Sequence, residues 1–500
     1  MARQLTTKAQ VNGYRFLVKR LEHALVRRDV RMLHDPMRSQ VRALLVGAVL
    51  GVLVLGGCGV WGLIKPQGSV GDAKILVSKN SGGLYVIVDK TLHPVLNLAS
   101  ARLIAGSAEG PTSVSDSKLA NYPRGPLLGI PGAPVGLPGS AHRGTSVWAV
   151  CDSVTGDTSS SDGGAGAVEL TVIGDRPRTS DTIGVATLDD AVLVTDGTTT
   201  HLIYQLDRDN TTTSVRARVD TGDVAVMRAL GLDGVSPRRI STGLLNTFAE
   251  VAPLESPKID GAGGAGAISA PGVRIGSVVK TVGIDDSDAY YLVLRTSVQR
   301  VTEPTAEMIR LADRNGSAPV ATVSPGVIAA LPTTSALPIG DFPARVPRLS
   351  TTATTPVTCH EWSRAGDAPR ATTRLLVGRT LPLADDARPV GVTSADGPGP
   401  GVDQVYVRPG SGEYLQVTGN EADSRRAESL FYVSDSGVRF GVDNLATGQT
   451  LGLGDAPVRA PWSVVSLLAT GPTLSRTNAL VAHDGMAADP SGQQIVAPGK

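Results

Sequence analysis

Ala43–Ile64 reads ALLVGAVLGVLVLGGCGVWGLI, an uncharged run held between Arg42 and Lys65. As a helix it rises about 33 Å at ~1.5 Å per residue, enough to cross a hydrocarbon core of ~30 Å. Leucine, valine, glycine and a late tryptophan are the composition of a membrane span. No later stretch matches its apolar length. The expectation is a single-pass membrane protein, with the span at 43–64, a short segment 1–42 on one side and a large domain 65–500 on the other.

Charge orients the span. Residues 1–42 carry ten Lys/Arg against Glu22, Asp29 and Asp35, a net +7, so the remainder of a chain of net charge +1 is −6. The positive-inside bias keeps such a flank in the cytoplasm and sends the C-terminal bulk across the membrane. A cleaved signal peptide has a shorter lead and a small-residue site after it, which Lys65-Pro66-Gln67-Gly68 does not offer. Leu55-Gly56-Gly57-Cys58 matches a lipoprotein signal, but Val60–Ile64 continue the apolar run past the cysteine. Cys58 therefore reads as a small apolar residue of a retained anchor.

Within 1–42, Tyr14, Leu17, Leu21 and Leu25 recur at spacings of three and four, one stripe of an amphipathic helix with its basic residues largely off it. Thr7 is the expected N-cap, and Asp35-Pro36 the expected end. A basic amphipathic helix beside a membrane has two uses. It can lie on anionic lipid, or dock on the cytoplasmic side of a larger membrane assembly. Because the basic run abuts a membrane, nucleic acid is not expected as a partner.

Beyond Lys65 the texture changes. The chain has 58 glycines and 33 prolines with only 4% aromatics, and turn-forming residues interrupt the apolar runs every ten to fifteen positions. That excludes a helical bundle and predicts a large α+β domain. Leu84–Val88, Leu202–Leu206, Tyr290–Leu294 and Leu430–Val433 are aromatic-bearing strands, each followed by a turn and then a helical or loop segment. They predict four repeat modules near 74–135, 190–255, 273–345 and 403–475, with core segments between them and a C-terminal tail at 476–500. Cys151 and Cys359 lie between modules, and in an extracytoplasmic domain two lone cysteines are expected to pair. Closing so long a loop stabilises by at most about 5 kcal/mol in the chain-entropy model. Thr158–Gly164 and Gly261–Gly266 read as flexible linkers.

Motifs for catalysis are missing from the sequence. There is no G-x-x-x-x-G-K-[ST], G-x-S-x-G, H-E-x-x-H or C-x-x-C, and Gly68 to Lys74 has the wrong spacing for a P-loop. The formal GxGxxG at Gly261–Gly266 stands between Pro257 and Pro271, without the flanking strand and helix a nucleotide fingerprint needs. Seven scattered histidines predict no metal, and His483-Asp484 is a neighbour pair of structural character. No catalytic residue and no cofactor are expected.

Leu5–Val11, Gly13–Leu17 and Arg20–Leu25, then Pro66-Gln67-Gly68, Asn97–Leu103, Ile130–Pro134, Leu474-Ser475-Arg476 and His483–Pro490 together carry a resemblance. Along nearly all its length the chain resembles the EccB family of the mycobacterial type VII (ESX) secretion system. That resemblance implies an inner-membrane subunit with a docking helix in the cytoplasm and its C-terminal domain in the periplasm, a β-rich central core with four repeat modules around it that self-associates. It implies as partners a multi-P-loop ATPase, a many-span channel protein and a further membrane subunit. The family is also described as hydrolysing ATP, for which no residues are recognisable here and for which the periplasm supplies no ATP.

Overall fold

The computed structural model describes residues 7–28, 36–64, 70–142, 144–155, 167–208, 211–284, 286–313, 320–396 and 401–486. The chain divides into two compact units at Asp72/Ala73.

In the first unit, Lys8–Arg27 is an α-helix whose N-cap is Thr7. The Thr7 N–H donates to Oε1 of Gln10 at 3.0 Å, the side-chain reach-back that satisfies the backbone at a helix start. This helix ends before Asp35-Pro36, because Arg28 turns into the left-handed region at φ 55°. Pro36 begins the second helix, Pro36–Ile64, where its missing N–H costs nothing. That helix starts seven residues before Ala43, and Gln40–Trp61 within it is long and apolar enough to cross a membrane.

The second unit is built on a seven-stranded sheet. Its order is Val390–Gly391, Gln404–Val407, Ala167–Gly174, Thr145–Thr155, Val357–Ala365, Thr372–Gly378, Ile183–Val185. Its middle is the antiparallel pair Thr145–Thr155 with Val357–Ala365, in which Trp148 lies opposite Trp362 and Cys151 opposite Cys359. A disulfide joins the two cysteines across 208 residues of sequence. Trp148, Val150 and Trp362 pack on one face; Ala149, Cys151 and Cys359 pack with Ile183 and Leu376 on the other. Both faces are buried, so these strands lack a clean apolar–polar alternation.

Four further sheets share one plan. Three antiparallel strands form a meander, a helix follows, and the next short segment pairs parallel to the first strand. A second short helix leads to a segment parallel to the third strand. The meanders are Ile75–Ser78, Leu84–Val88, Thr91–Pro94; Asp190–Thr195, Thr200–Arg208, Thr211–Arg218; Val278–Val282, Asp288–Val293, Val298–Val301; and Gly412–Thr418, Leu430–Ser434, Val438–Val442. The aromatic-bearing strands read from the sequence are the middle strands. After each meander a capped helix begins, at Asn97, Asp223, Thr302 and Asn444, whose side chains accept from N–H groups of the first turn.

Three expectations need correction. Gln404–Val407 pairs parallel with Ala167–Gly174, so the start assigned to the fourth module belongs to the central sheet. Gly261–Gly266 is no loose linker: the Gly263 N–H donates to the Ile275 carbonyl, and the Ile275 N–H to that of Gly264, both at 2.9 Å. The segment from 476 is not wholly a tail, for Arg476–Ala479 is helical and Ala482–His483 pairs antiparallel with Leu127–Leu128 of the first module. Thr158–Gly164 lies outside the described residues.

Sequence neighbours are not spatial neighbours. Second and third modules share a core containing Tyr204, Leu230, Leu292 and Met308. First and fourth share another, with Leu103, Tyr432, Phe440 and Leu451, and Arg102 donates to the Leu451 carbonyl at 2.6 Å. Second and fourth both pack on the tryptophan face of the central sheet. The packing order is first, fourth, sheet, second, third.

Candidate functional site

The side chains singled out in the sequence fall in two places with opposite surroundings. Tyr14, Leu17, Leu21 and Leu25 form one stripe of the first helix, and each is more than 60% exposed. They touch solvent, as do Leu44, Leu50 and Leu55 of the spanning helix. An apolar stripe in water is a surface for a partner or for lipid. Cys58 is a free, exposed thiol on that second helix. Cys151 and Cys359 are fully buried, and their bond ties the two central strands together.

Polar chemistry gathers where the modules join the sheet, and sequence reasoning missed it. Asp152 follows Cys151 on its strand and accepts from both the N–H and the hydroxyl of Ser241 at 2.7 Å. Ser241 caps the short helix Thr242–Leu245 of the second module. Burial pushes the Asp152 carboxyl up to about 6, although the Ser241 bonds and the nearby Arg238 pull it down. Burial likewise lowers Arg238 to about 10, while its guanidinium donates to the carbonyls of Thr355 and Pro356.

A second joint ties the connector that carries Ser140 and His142 to the sheet and to the first strand of the fourth module. Asp175, at the end of its strand, accepts from His142 Nε2, from Arg408 and from the Arg176 N–H. Burial alone would raise this carboxyl; those donors outweigh it and hold it below the usual range. Glu413 accepts from Ser140 at 2.7 Å, and burial raises its carboxyl. These residues stand singly in sequence, so no spacing marks them. Asp152 and Asp175 are filled by donors, whereas Oε2 of Glu413 is buried without a hydrogen-bond partner.

Among the described residues of the second unit, three cavities bear on the question of a ligand. One of about 220 Å³ lies beside Asp175, Arg178 and Arg408. Those of about 640 and 670 Å³, on the third and fourth modules, carry a single charged-residue pair between them, Glu428 and Asp443 of the fourth. Triphosphate recognition calls for clustered cations or a glycine-rich turn leading into a helix; neither large cavity supplies them, and the small one sets Arg176, Arg178 and Arg408 beside the carboxylates of Asp175 and Asp386. The GxGxxG segment is folded back on Ile275 instead. Among the described residues no group of His, Cys, Asp and Glu is arranged to hold a metal ion.

Comparison with known proteins places this geometry. A family model described as "Type VII secretion system ESX-1, transport TM domain B" matches residues 3–488. The ESX-3 secretion system ATPase EccB3 of Mycolicibacterium smegmatis is 37% identical over 502 residues, covering 99% of this chain and 94% of that protein. The ESX-1 secretion system ATPase EccB1 of Mycobacterium tuberculosis is 36% identical over 502 residues, covering 99% of each. A chain of an intact ESX-5 inner membrane complex is similar at a TM-score of 0.72 and 33% identity, with 99% of both chains covered. In the EccB3 dimer from the ESX-3 core complex the TM-score is 0.71 at 35% identity, over 82% of this chain and 100% of that one. Matched from near its first helix to its last strand, the chain belongs to the EccB family of type VII secretion membrane proteins.

Proposed function

We propose that this chain is a structural subunit of a type VII (ESX) secretion complex, anchored in the inner membrane and self-associating through its periplasmic domain. The observation that carries this reading is the end-to-end similarity to a chain of an intact ESX-5 inner membrane complex. Division of labour supports it. One span cannot form a pore, so a many-span partner supplies the channel, a multi-P-loop ATPase the cytoplasmic motor, and a further membrane subunit completes the core. The basic flank of +7 orients the N-terminus to the cytoplasm, where the stripe Tyr14, Leu17, Leu21, Leu25 docks on the complex. The disulfide favours an oxidising compartment for the body. A reporter active only outside the cytoplasm is expected to work when fused after Lys500 and to be silent when fused after Pro36. The reverse pattern would overturn the orientation.

ATP hydrolysis is the second reading, and the observation favouring it is that relatives carry ATPase in their names. Purified full-length protein is expected to lose apparent turnover on repurification. Turnover that survived, and that one substitution in a defined cavity abolished without unfolding the chain, would establish an enzyme.

A further inference from the structure

At several places in the body an arginine is answered by the chain itself: Arg216 by Glu250, Arg310 by Glu307 and Arg374 by Glu361. Arg176 and Arg178 are exposed, and among the described residues their guanidiniums make no hydrogen bond or ion pair. Both line the cavity of about 220 Å³ together with Arg408. The central sheet brings the three together. Gly174 pairs with Val407 in the parallel register of Ala167–Gly174 with Gln404–Val407, so both strands leave the sheet at one end, into Asp175-Arg176 and into Arg408. Arg176 precedes Pro177, which restricts it to an extended backbone, and side chains two apart on an extended chain leave on one side. Pro177 is buried and fixes this Arg-Pro-Arg segment in place. The Arg178 N–H donates to the Pro382 carbonyl at 2.9 Å, which ties on the remaining wall.

Asp175 is buried at the base of this arrangement. It accepts from Nε and Nη2 of Arg408, each at 3.2 Å, which fixes that guanidinium and leaves its Nη1 without a hydrogen bond among the described residues. With Asp175 matched to Arg408, the lining sets Arg176 and Arg178 against Asp386 alone, so one positive charge is left over. A single monoanion balances it; a dianion or a triphosphate would reverse the sign. An arginine fork matches a carboxylate through two parallel N–H donors. Pro382, Leu383 and the ring of Tyr406 add apolar wall, which a carbon-bearing acid uses and a bare ion does not. The volume lies below the ~300–1,000 Å³ of pockets that enclose a whole cofactor, and matches one residue-sized group.

We infer that the cavity bounded by Arg176, Arg178 and Arg408 binds one carboxylate, carried on a group of amino-acid size. Arg176 and Arg178 are its charged partners, and Asp175 positions Arg408 beside them. The site belongs to a single copy of the chain and does not depend on assembly into a complex.

The test uses the full-length chain in native membranes, treated with phenylglyoxal, which modifies free guanidiniums, and read by peptide mass spectrometry. Propionate at constant ionic strength is expected to slow modification of Arg176 and Arg178 at least threefold and to leave the exposed Arg370 unchanged. Propionamide, of the same size without the charge, is expected to protect neither. In detergent, calorimetric affinity for propionate is expected to fall at least tenfold in Arg176→Gln/Arg178→Gln, with the melting temperature unchanged because both side chains are exposed. The tripeptide Gly-Glu-Gly with both ends blocked separates two sources of the same chemistry. Affinity at least tenfold above that of propionate assigns the carboxylate to a peptide side chain, and a smaller gain assigns it to a free acid. Protection of Arg370 equal to that of Arg178, protection by propionamide, unchanged affinity in the double variant, or tighter binding of inorganic phosphate than of propionate would each overturn the inference.

Discussion

Leu17 and Leu25 of the first helix are 62% and 74% exposed, whereas Leu170 and Leu375 in the central sheet are 1% and 0% exposed. Burying a leucine contributes about 1.5–3 kcal/mol. In the body that contribution holds the chain's own fold together. In the N-terminal unit it is still to be gained, from lipid along Gln40–Trp61 and from a partner or the membrane surface along the stripe of Tyr14, Leu17, Leu21 and Leu25. One chain thus holds a region whose apolar residues specify structure and a region whose apolar residues specify surroundings. Substitutions should damage folding in the first region and location or assembly in the second.

The largest effect on folding is expected at Trp148, buried where the second and fourth modules meet the sheet. Trp148→Ala removes that filling and should destabilise the body by about 3–5 kcal/mol, read as a fall in the denaturant midpoint. Little change would mean that the modules do not depend on the sheet. Cys359→Ser should cost about 2–5 kcal/mol, the range for losing a native disulfide, and should lower the melting temperature. Mass spectrometry of the unreduced protein should find Cys151 linked to Cys359.

Asp152 sharpens the contrast through pH. Its folded value, raised to about 6, exceeds the ~3.9 of an unfolded aspartate. The protonated form is therefore favoured on folding. Its stabilisation is fully present below ~3.9 and is lost as pH rises through about 6. Asp152→Asn should flatten that part of the stability curve and, by disturbing two bonds from Ser241, cost about 1–3 kcal/mol at neutral pH. An unchanged slope would assign the titration to another group.

What was legible in the sequence was what local pattern encodes. The uncharged run, the three-and-four stripe and the capping Thr7 depend on neighbours within a few residues; the first helix begins where Thr7 places it but ends at Arg27, and the second contains the uncharged run but begins at Pro36. The middle strands were legible through their aromatics. Thr211–Arg218 was not, because TTTSVRAR lacks an apolar run and is held by its register against Thr200–Arg208. Gln404–Val407 was assigned to the wrong sheet for a related reason: its partner lies more than 200 residues away, at Thr171–Gly174. Asp152, Asp175 and Glu413 left no signal, since each acquires its role only when distant segments meet it. The glycine-rich turn misled by composition, which reports flexibility where long-range backbone bonds impose order.

We propose that the exposed stripe of the first helix serves assembly and not the fold. The direct measurement is native-gel migration of Leu17→Glu/Leu21→Glu in full-length protein extracted from its membranes, beside thermal unfolding of the same variant. Both side chains are exposed, so the variant should unfold within ~0.5 kcal/mol of the parent and remain in the membrane fraction. It should nevertheless migrate free of the large complex. A variant that still entered the complex and supported export would contradict docking and leave lipid binding as the use of that face.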